Sequence, residues 1–134
     1  DANEALSKVG KYLRKHAKPG FIHGDFHGGN ILSDNTGHIT GLIDFGRSGR
    51  CKNFIVDFCN IPDAAMPYFI EGYEQKSRRK IDPDMASMTS ISLHASYISY
   101  LKDDVKRRNK AIRTLNGYLG KVTHITGYTP PTAS

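Results

Sequence analysis

The sequence predicts an α+β fold that is mostly helical and carries one small antiparallel hairpin. Three observations lead there. Apolar residues recur at helical spacing at the start of the chain and again through its second half. A turn-forming tetrad, Asp34-Asn35-Thr36-Gly37, separates two short apolar runs. The pairs Pro19-Gly20, Pro62-Asp63 and Asp82-Pro83 punctuate the rest in the way helix ends and helix starts do.

Taken in order, Ala2, Leu6, Val9 and Leu13 step by four, three and four, the apolar stripe of a helix that Pro19-Gly20 stops. Phe21-Ile22 is a short apolar run entering a glycine-rich loop, His23-Gly24-Asp25-Phe26-His27-Gly28-Gly29-Asn30. Ile31-Leu32-Ser33 and His38 to Ile43 read as the two strands of the hairpin. Antiparallel pairing sets the outer ends of a hairpin side by side, so Asn30, just before the first strand, is expected beside Asp44, which ends the second. From Asn53 to Asn60 the chain is apolar around Asp57, and Pro62-Asp63 is expected to open a helix through Phe69, Ile70 and Tyr73. Asp82-Pro83 supplies an N-cap and a first-turn proline for a helix with Met85, Met88, Ile91, Ile98 and Leu101 on one face. Val105, Ile112, Leu115 and Leu119 form a further stripe, closed by Gly120 and trailing into Thr129-Pro130-Pro131-Thr132. The methionines and tyrosines of these helices are expected in the core.

The 134 residues correspond to one domain by length. No apolar stretch approaches the ~20 residues of a membrane helix, and Asp1-Ala2-Asn3-Glu4 lacks the basic and apolar regions of a signal peptide. Cys51 and Cys59 form no Cys-x-x-Cys pair, so free thiols and a reducing, cytoplasmic setting are expected rather than a disulfide scaffold or structural zinc. Lys and Arg number 19 against 13 Asp and Glu, a net charge of +6 that would help attract a phosphate-bearing ligand. The basic residues are spread over several helix faces, where such runs are ordinarily solvated, and no RRM, zinc-finger or KH signature accompanies them. Neither nucleic acid nor a membrane is expected as a partner.

The chemistry concentrates in the glycine-rich loop and in Leu42-Ile43-Asp44-Phe45-Gly46, with Asp44 fourteen residues after Asn30. Phosphoryl transfer asks little of a protein beyond a carboxylate near the attacking hydroxyl and oxygen ligands for Mg2+. Asp25, Asn30 and Asp44 are the right types. The five-residue step from Asp25 to Asn30, followed by Asp-Phe-Gly, is the step that separates catalytic Asp and metal-binding Asn in kinases. Any one of these pieces alone would be ordinary turn chemistry, since Gly, Asn and Asp all favour tight turns. Their conjunction points to a site.

HGDFHGGNIL followed by GLIDFGRSG resembles the aminoglycoside phosphotransferase (kinase-like) family. The resemblance is specific over Phe21 to Gly49 and weaker for the helices that follow. It implies that residues 1–134 are the protein-kinase-like carboxy-terminal lobe of an enzyme that transfers the ATP γ-phosphate to a hydroxyl of a small molecule, an aminoglycoside-like compound or another antibiotic or metabolite, with the lobe alone expected to be inactive. Asp25 would be the catalytic base, with Asn30 completing the catalytic pair; Asn30 and Asp44 would hold Mg2+, and His27 would lie near the γ-phosphate with them. His23 would anchor the loop backbone and Asp57 would brace it. Gly28 stands where many relatives have Pro. No Gly-x-Gly-x-x-Gly loop and no Val-Ala-Ile-Lys equivalent occurs in the 134 residues, so the amino-terminal nucleotide-binding lobe is expected to come from elsewhere. A fragment of a longer enzyme, a truncated product and a natural lobe that assembles with another chain all fit. The partners implied are the acceptor, the missing lobe, or a second protomer seated on the hairpin face around Ile31, Leu42 and Phe45.

Two other functions compete. Gly24-Asp25-Phe26-His27-Gly28 also resembles the G-D-x-H-G metal motif of metallophosphoesterases, but the G-D-x-x-D and G-N-H-E strings that continue that pattern do not follow. A kinase-like interaction module without catalysis would explain the absent lobe but not the retention of Asp25, Asn30 and Asp44. A metal site of His23, Asp25 and His27 lacks further ligands nearby in sequence. Glu71, Glu74, Asp103 and Asp104 would suit a cationic acceptor, or are simply solvated carboxylates.

Overall fold

The first helix, α1 (Ala2–His16), begins where the Asp1 carboxylate accepts the Glu4 amide at 2.9 Å, and it ends ahead of Pro19-Gly20 as the sequence requires. Its Ala5 and Val9 are buried, with Leu6 and Leu13 packed alongside. The computed structural model describes residues 1–131, so Thr132 of the tail lies outside the described residues. Within them the chain divides into two compact units, one formed by Lys18–Ile81 and the other by Asp1–Ala17 together with the segment from Asp82 onward.

The second of these is all helical: α1, α3 (Pro83–Tyr100), α4 (Val105–Lys121) and the single turn α5 (Thr123–Thr126). We use α2 for the helix of the other unit. Asp82 caps α3 by accepting the Asp84 amide at 3.0 Å, and Pro83 occupies the first turn, where its missing N–H costs nothing. Val9 and Ala5 of α1 meet Met88 and Ile91 of α3, Leu119 of α4 and Val122 in one fully buried cluster.

Three expectations for these helices need correction. On α4 the buried stripe runs through Ala111 and Leu119, whereas Val105 and Ile112 are exposed. Steps of four from Ala111 through Leu115 to Leu119 follow the face that packs, and Ile112 is rotated about 100° off it. Gly120 does not close the helix: α4 continues to Lys121, and the left-handed residue that ends the helical run is Gly127, φ 70°, after α5. A helix stop needs glycine just beyond the last helical residue, and an internal glycine only weakens the helix. Met85 and Met88 are buried as expected, but Tyr97 and Tyr100 are exposed.

The unit Lys18–Ile81 is built from two strand pairs, two 3-10 segments and α2 (Met66–Ser77). β2 (Ile31–Ser33) and β3 (Ile39–Leu42) form the expected hairpin, with Ile31 opposite Leu42 and a register irregularity at Leu32/Ser33. The turn is fixed by Asp34, which accepts the Thr36 amide at 2.9 Å, its hydroxyl at 2.6 Å and the His38 amide at 3.0 Å. These bonds, the Thr36 hydroxyl first, hold the Asp34 carboxyl below its ordinary range. β1 (Gly20–Ile22) pairs antiparallel with β4 (Gly49–Cys51), a strand that Gly49-Arg50-Cys51 gives no alternation to announce.

Pro62-Asp63 forms a turn rather than a helix start: Ala65 and Met66 both donate to the Pro62 carbonyl, and α2 begins at Met66 with Pro67 in its first turn. The 3-10 segment Phe54–Asn60 packs its rings against α2. Phe58 meets Phe69 edge-on at 5.0 Å, Phe54 stacks with Tyr73 at 5.7 Å, and Phe26 of the glycine-rich loop reaches Phe69 at 5.5 Å. Such aromatic pairs add to the burial of their area, and here they fasten the loop to α2. Among the described residues no helix is long and apolar enough to cross a membrane.

Candidate active site

The loop from His23 to Asn30 carries no regular structure until Gly28–Asn30, so its shape depends on side chains that bond its backbone. Asp57, held in the 3-10 segment, supplies the first anchor. One carboxylate oxygen accepts the His23 amide at 2.6 Å and the other the Gly24 amide at 2.9 Å. His23 supplies the second. Its Nε2 lies 2.8 Å from the Ile43 carbonyl, which can only accept, so Nε2 carries the proton. Its Nδ1 then has a lone pair and receives the Asp25 amide at 3.3 Å. Both ring nitrogens of this buried histidine are thereby occupied. That leaves neither free for a metal, and the sequence motif His23, Asp25, His27 does not make a metal centre.

Asn30 is the hub of the loop. Its side-chain amide donates to the Asp25 backbone carbonyl at 2.9 Å and approaches an Asp25 carboxylate oxygen at 3.4 Å. These two acceptors fix which end of the carboxamide is nitrogen and leave the oxygen for another partner. Asn30 is 7% exposed, while Asp25 and His27 beside it are half-buried. His27 Nδ1 lies 3.1 Å from the Gly29 amide, and its Nε2 lies 3.6 Å from the Asp25 carboxylate and 3.3 Å from the Asn30 side-chain nitrogen. Asp25, His27 and Asn30 therefore converge.

Asp44 reaches the same neighbourhood through the backbone. The Ile43 amide donates to the Asn30 carbonyl at 3.0 Å, which extends the hairpin ladder by one rung and sets Asp44 just past it. Asp44 is left-handed, φ 64°, a conformation that Asp tolerates better than most residues. It turns the chain out of β3 into Phe45-Gly46-Arg47-Ser48, where the Ser48 amide closes on the Phe45 carbonyl at 2.9 Å. The residues on either side of Asp44 both hold His23: Ile43 through its carbonyl, and Phe45 through ring contact at 4.6 Å. The Asp44 carboxylate itself is exposed and has no hydrogen-bond or ion-pair partner among the described residues.

Gly24 completes the junction. Its φ is +86°, and a Cβ built there would lie 2.2 Å from the Arg47 carbonyl oxygen. Only glycine fits where the loop and the Phe45–Ser48 turn touch. The roles of Gly24, Ile43 and Arg47 were not legible in the sequence, although a glycine directly before the candidate base was a signal for such an approach. At Gly28, by contrast, an added Cβ meets nothing within 4 Å.

The site thus presents one half-buried carboxylate, one carboxamide oxygen and one exposed carboxylate on two segments locked by His23. These are hard oxygen donors, the set that Mg2+ takes, with no thiolate among them. Among the described residues no group of three or more His, Cys, Asp or Glu side chains is arranged to hold a metal ion.

The geometry is that of a loop organised around a carboxylate. The sequence model of the phosphotransferase enzyme family matches residues 1–84, and the chain belongs to that family. The match takes in α1, the glycine-rich loop, both strand pairs and α2, and it supports a kinase-like transferase. No curated protein and no solved structure matches the chain.

Proposed function

We propose that the chain is the carboxy-terminal lobe of an ATP-dependent phosphotransferase that moves the γ-phosphate to a hydroxyl of a small molecule, with the nucleotide gripped by a lobe outside these 134 residues. The observation that carries this reading is the double use of Asn30. Its side chain holds Asp25 and its backbone holds the strand end that bears Asp44. One residue therefore ties the candidate base to the candidate metal ligands.

In this reading the Asp25 carboxylate accepts the proton of the acceptor hydroxyl as it attacks. Its backbone is held at the carbonyl by Asn30 and at the amide by His23, so the base is positioned before substrate arrives. Asn30 and Asp44 would hold Mg2+, which when bound neutralises charge on the nucleotide phosphates. In this reading His27, whose Nε2 lies 3.6 Å from the Asp25 carboxylate, would lie near the γ-phosphate. Asp57 and His23 act on the backbone and touch neither substrate nor metal.

Two measurements test this. In an enzyme that also contains the nucleotide lobe, Mn2+ with ATP as a paramagnetic probe should broaden the resonances of Asn30 and Asp44 first, and Asp44→Asn should abolish the effect while tolerating the left-handed backbone. In the same enzyme, Asp25→Asn should cut kcat by at least about a hundredfold with nucleotide affinity unchanged, since general-base catalysis contributes about that much. Equal, small effects of the two substitutions would leave only a scaffold.

A further inference from the structure

The all-helical unit has a cleft of its own, with a volume of about 300 Å3, lined by His94 and Tyr97 of α3 and by Arg107, Lys110, Ala111 and Thr114 of α4. The four α4 residues lie at steps of three, one and three, a single stripe along that helix. Where the two helices face each other, Ala111 is 6% exposed and offers only a methyl group, so the hollow exists because a small residue stands at the contact. The volume is at the lower end of the range for small-molecule sites.

The lining has one sign. Among the described residues two permanent cations and no carboxylate line the cleft. Arg107 uses its Nε on Asp104, 3.3 Å away, which leaves the outer guanidinium nitrogens to meet something else. Lys110 has no ion-pair partner among the described residues. His94 is held in place: its Nδ1 must carry the proton it gives to the Ser90 carbonyl at 2.8 Å, and its ring packs on Tyr118 at 5.6 Å. Thr114 commits its hydroxyl proton to the Lys110 carbonyl at 3.1 Å. Tyr97 is half exposed, an uncovered ring at the edge of a positively charged hollow. A solvated basic face needs none of this. It does not need a concavity, a fixed imidazole, or an aromatic ring left in water beside the charges.

We propose that this cleft binds a small organic oxyanion, a phosphate or carboxylate on a flat body, with the anion on Arg107 and Lys110 and the body against Tyr97. Arginine matches a planar two-oxygen acceptor with two parallel donors, and lysine adds a point charge. The cleft belongs to the all-helical unit and the loop of Asp25 to the other, and the proposal does not depend on the phosphotransferase reading.

The test uses the full chain at constant ionic strength, with phenyl phosphate, benzoate, inorganic phosphate and neutral benzyl alcohol as probes, followed by calorimetry and by amide and side-chain NMR shifts. Phenyl phosphate or benzoate should bind saturably at about 1 mM or tighter, with the largest shifts at His94, Tyr97, Arg107 and Lys110. Preference for phenyl phosphate or for benzoate identifies which anion the site takes. Arg107→Gln and Lys110→Gln, both on solvent-facing positions, should each weaken binding about tenfold, the loss of one charge-assisted hydrogen bond. Tyr97→Ala should reduce the aryl probes to the affinity of inorganic phosphate. Ala111→Leu should fill the hollow and abolish binding. Lys76→Gln, which removes the same charge from the other unit, should change nothing. No saturation, equal binding of benzyl alcohol, or an equal loss in Lys76→Gln and Lys110→Gln would overturn the proposal.

Discussion

Removing the Asp57 carboxylate should loosen the candidate catalytic loop by an amount the structure allows to be worked out. Each carboxylate oxygen serves one backbone amide, His23 at 2.6 Å and Gly24 at 2.9 Å. A hydrogen bond to an ionised group contributes roughly 1.5–3 kcal/mol. Asp57 is half-buried and water can partly replace it, so the lower bound applies and Asp57→Ala should cost about 3 kcal/mol or a little less. Asp57→Asn keeps one acceptor and turns a donor toward the other amide, so about half that loss is expected. Amide exchange of His23 and Gly24 reads the effect locally, and about 2–3 kcal/mol corresponds to exchange roughly 30- to 150-fold faster. Urea unfolding reads the same loss for the unit as a whole. Unchanged exchange at both amides in Asp57→Ala would refute the bracing role, and so would an Asn variant as damaging as the Ala one.

The remaining predictions concern backbone, pH and association. Gly24→Ala should destabilise the Lys18–Ile81 unit by about 3 kcal/mol or more, because its Cβ has no room against the Arg47 carbonyl and φ is positive; Gly28→Ala, with open space around it, should stabilise by about 0.5 kcal/mol. Urea midpoints of the two variants check both. Tyr12 donates to Asp82, and that bond, then burial, pushes the phenol up to about 12. A raised pKa contributes stability that is whole below the unfolded value near 10 and is lost as pH climbs toward 12, so the stability gap between wild type and Tyr12→Phe should shrink over that window. A gap independent of pH would remove the phenol from the account. Phe45 is 49% exposed on the hairpin side, and sedimentation should show concentration-dependent association that Phe45→Ser diminishes; a strictly monomeric wild type would argue against that interface.

The sequence was most informative where local chemistry decides the outcome. Asp82-Pro83 and the Asp34-to-Gly37 turn did what capping and turn rules say, because their partners lie within four residues. The placement of Asn30 and Asp44 at the open end of the hairpin was legible from its ladder. What escaped was long-range. The Gly49–Cys51 strand exists because Gly20–Ile22 offers it an edge, not because of its own residues. Ile112 looked like core until tertiary packing chose Ala111 one position earlier. The locking of Asp44 by the two neighbours that hold His23 depends on a left-handed turn, and no periodicity reports one.

The placement of α1 has a consequence for the order in which the protein takes shape. Its Lys8 donates to the Thr126 carbonyl across 118 residues, and its Val9 and Ala5 have their buried partners in Met88, Ile91, Leu119 and Val122. The bonds that tie Asp57 to the loop span only 34 residues. During synthesis the Lys18–Ile81 unit can therefore close while α1 still waits for about forty more residues, a delay of several seconds at ribosomal rates. A helix of that length is marginal by itself in water. Of these 134 residues the segment made earliest is thus among the last to find its packing partners, and until then the apolar stripe of α1 is exposed to whatever else is in reach.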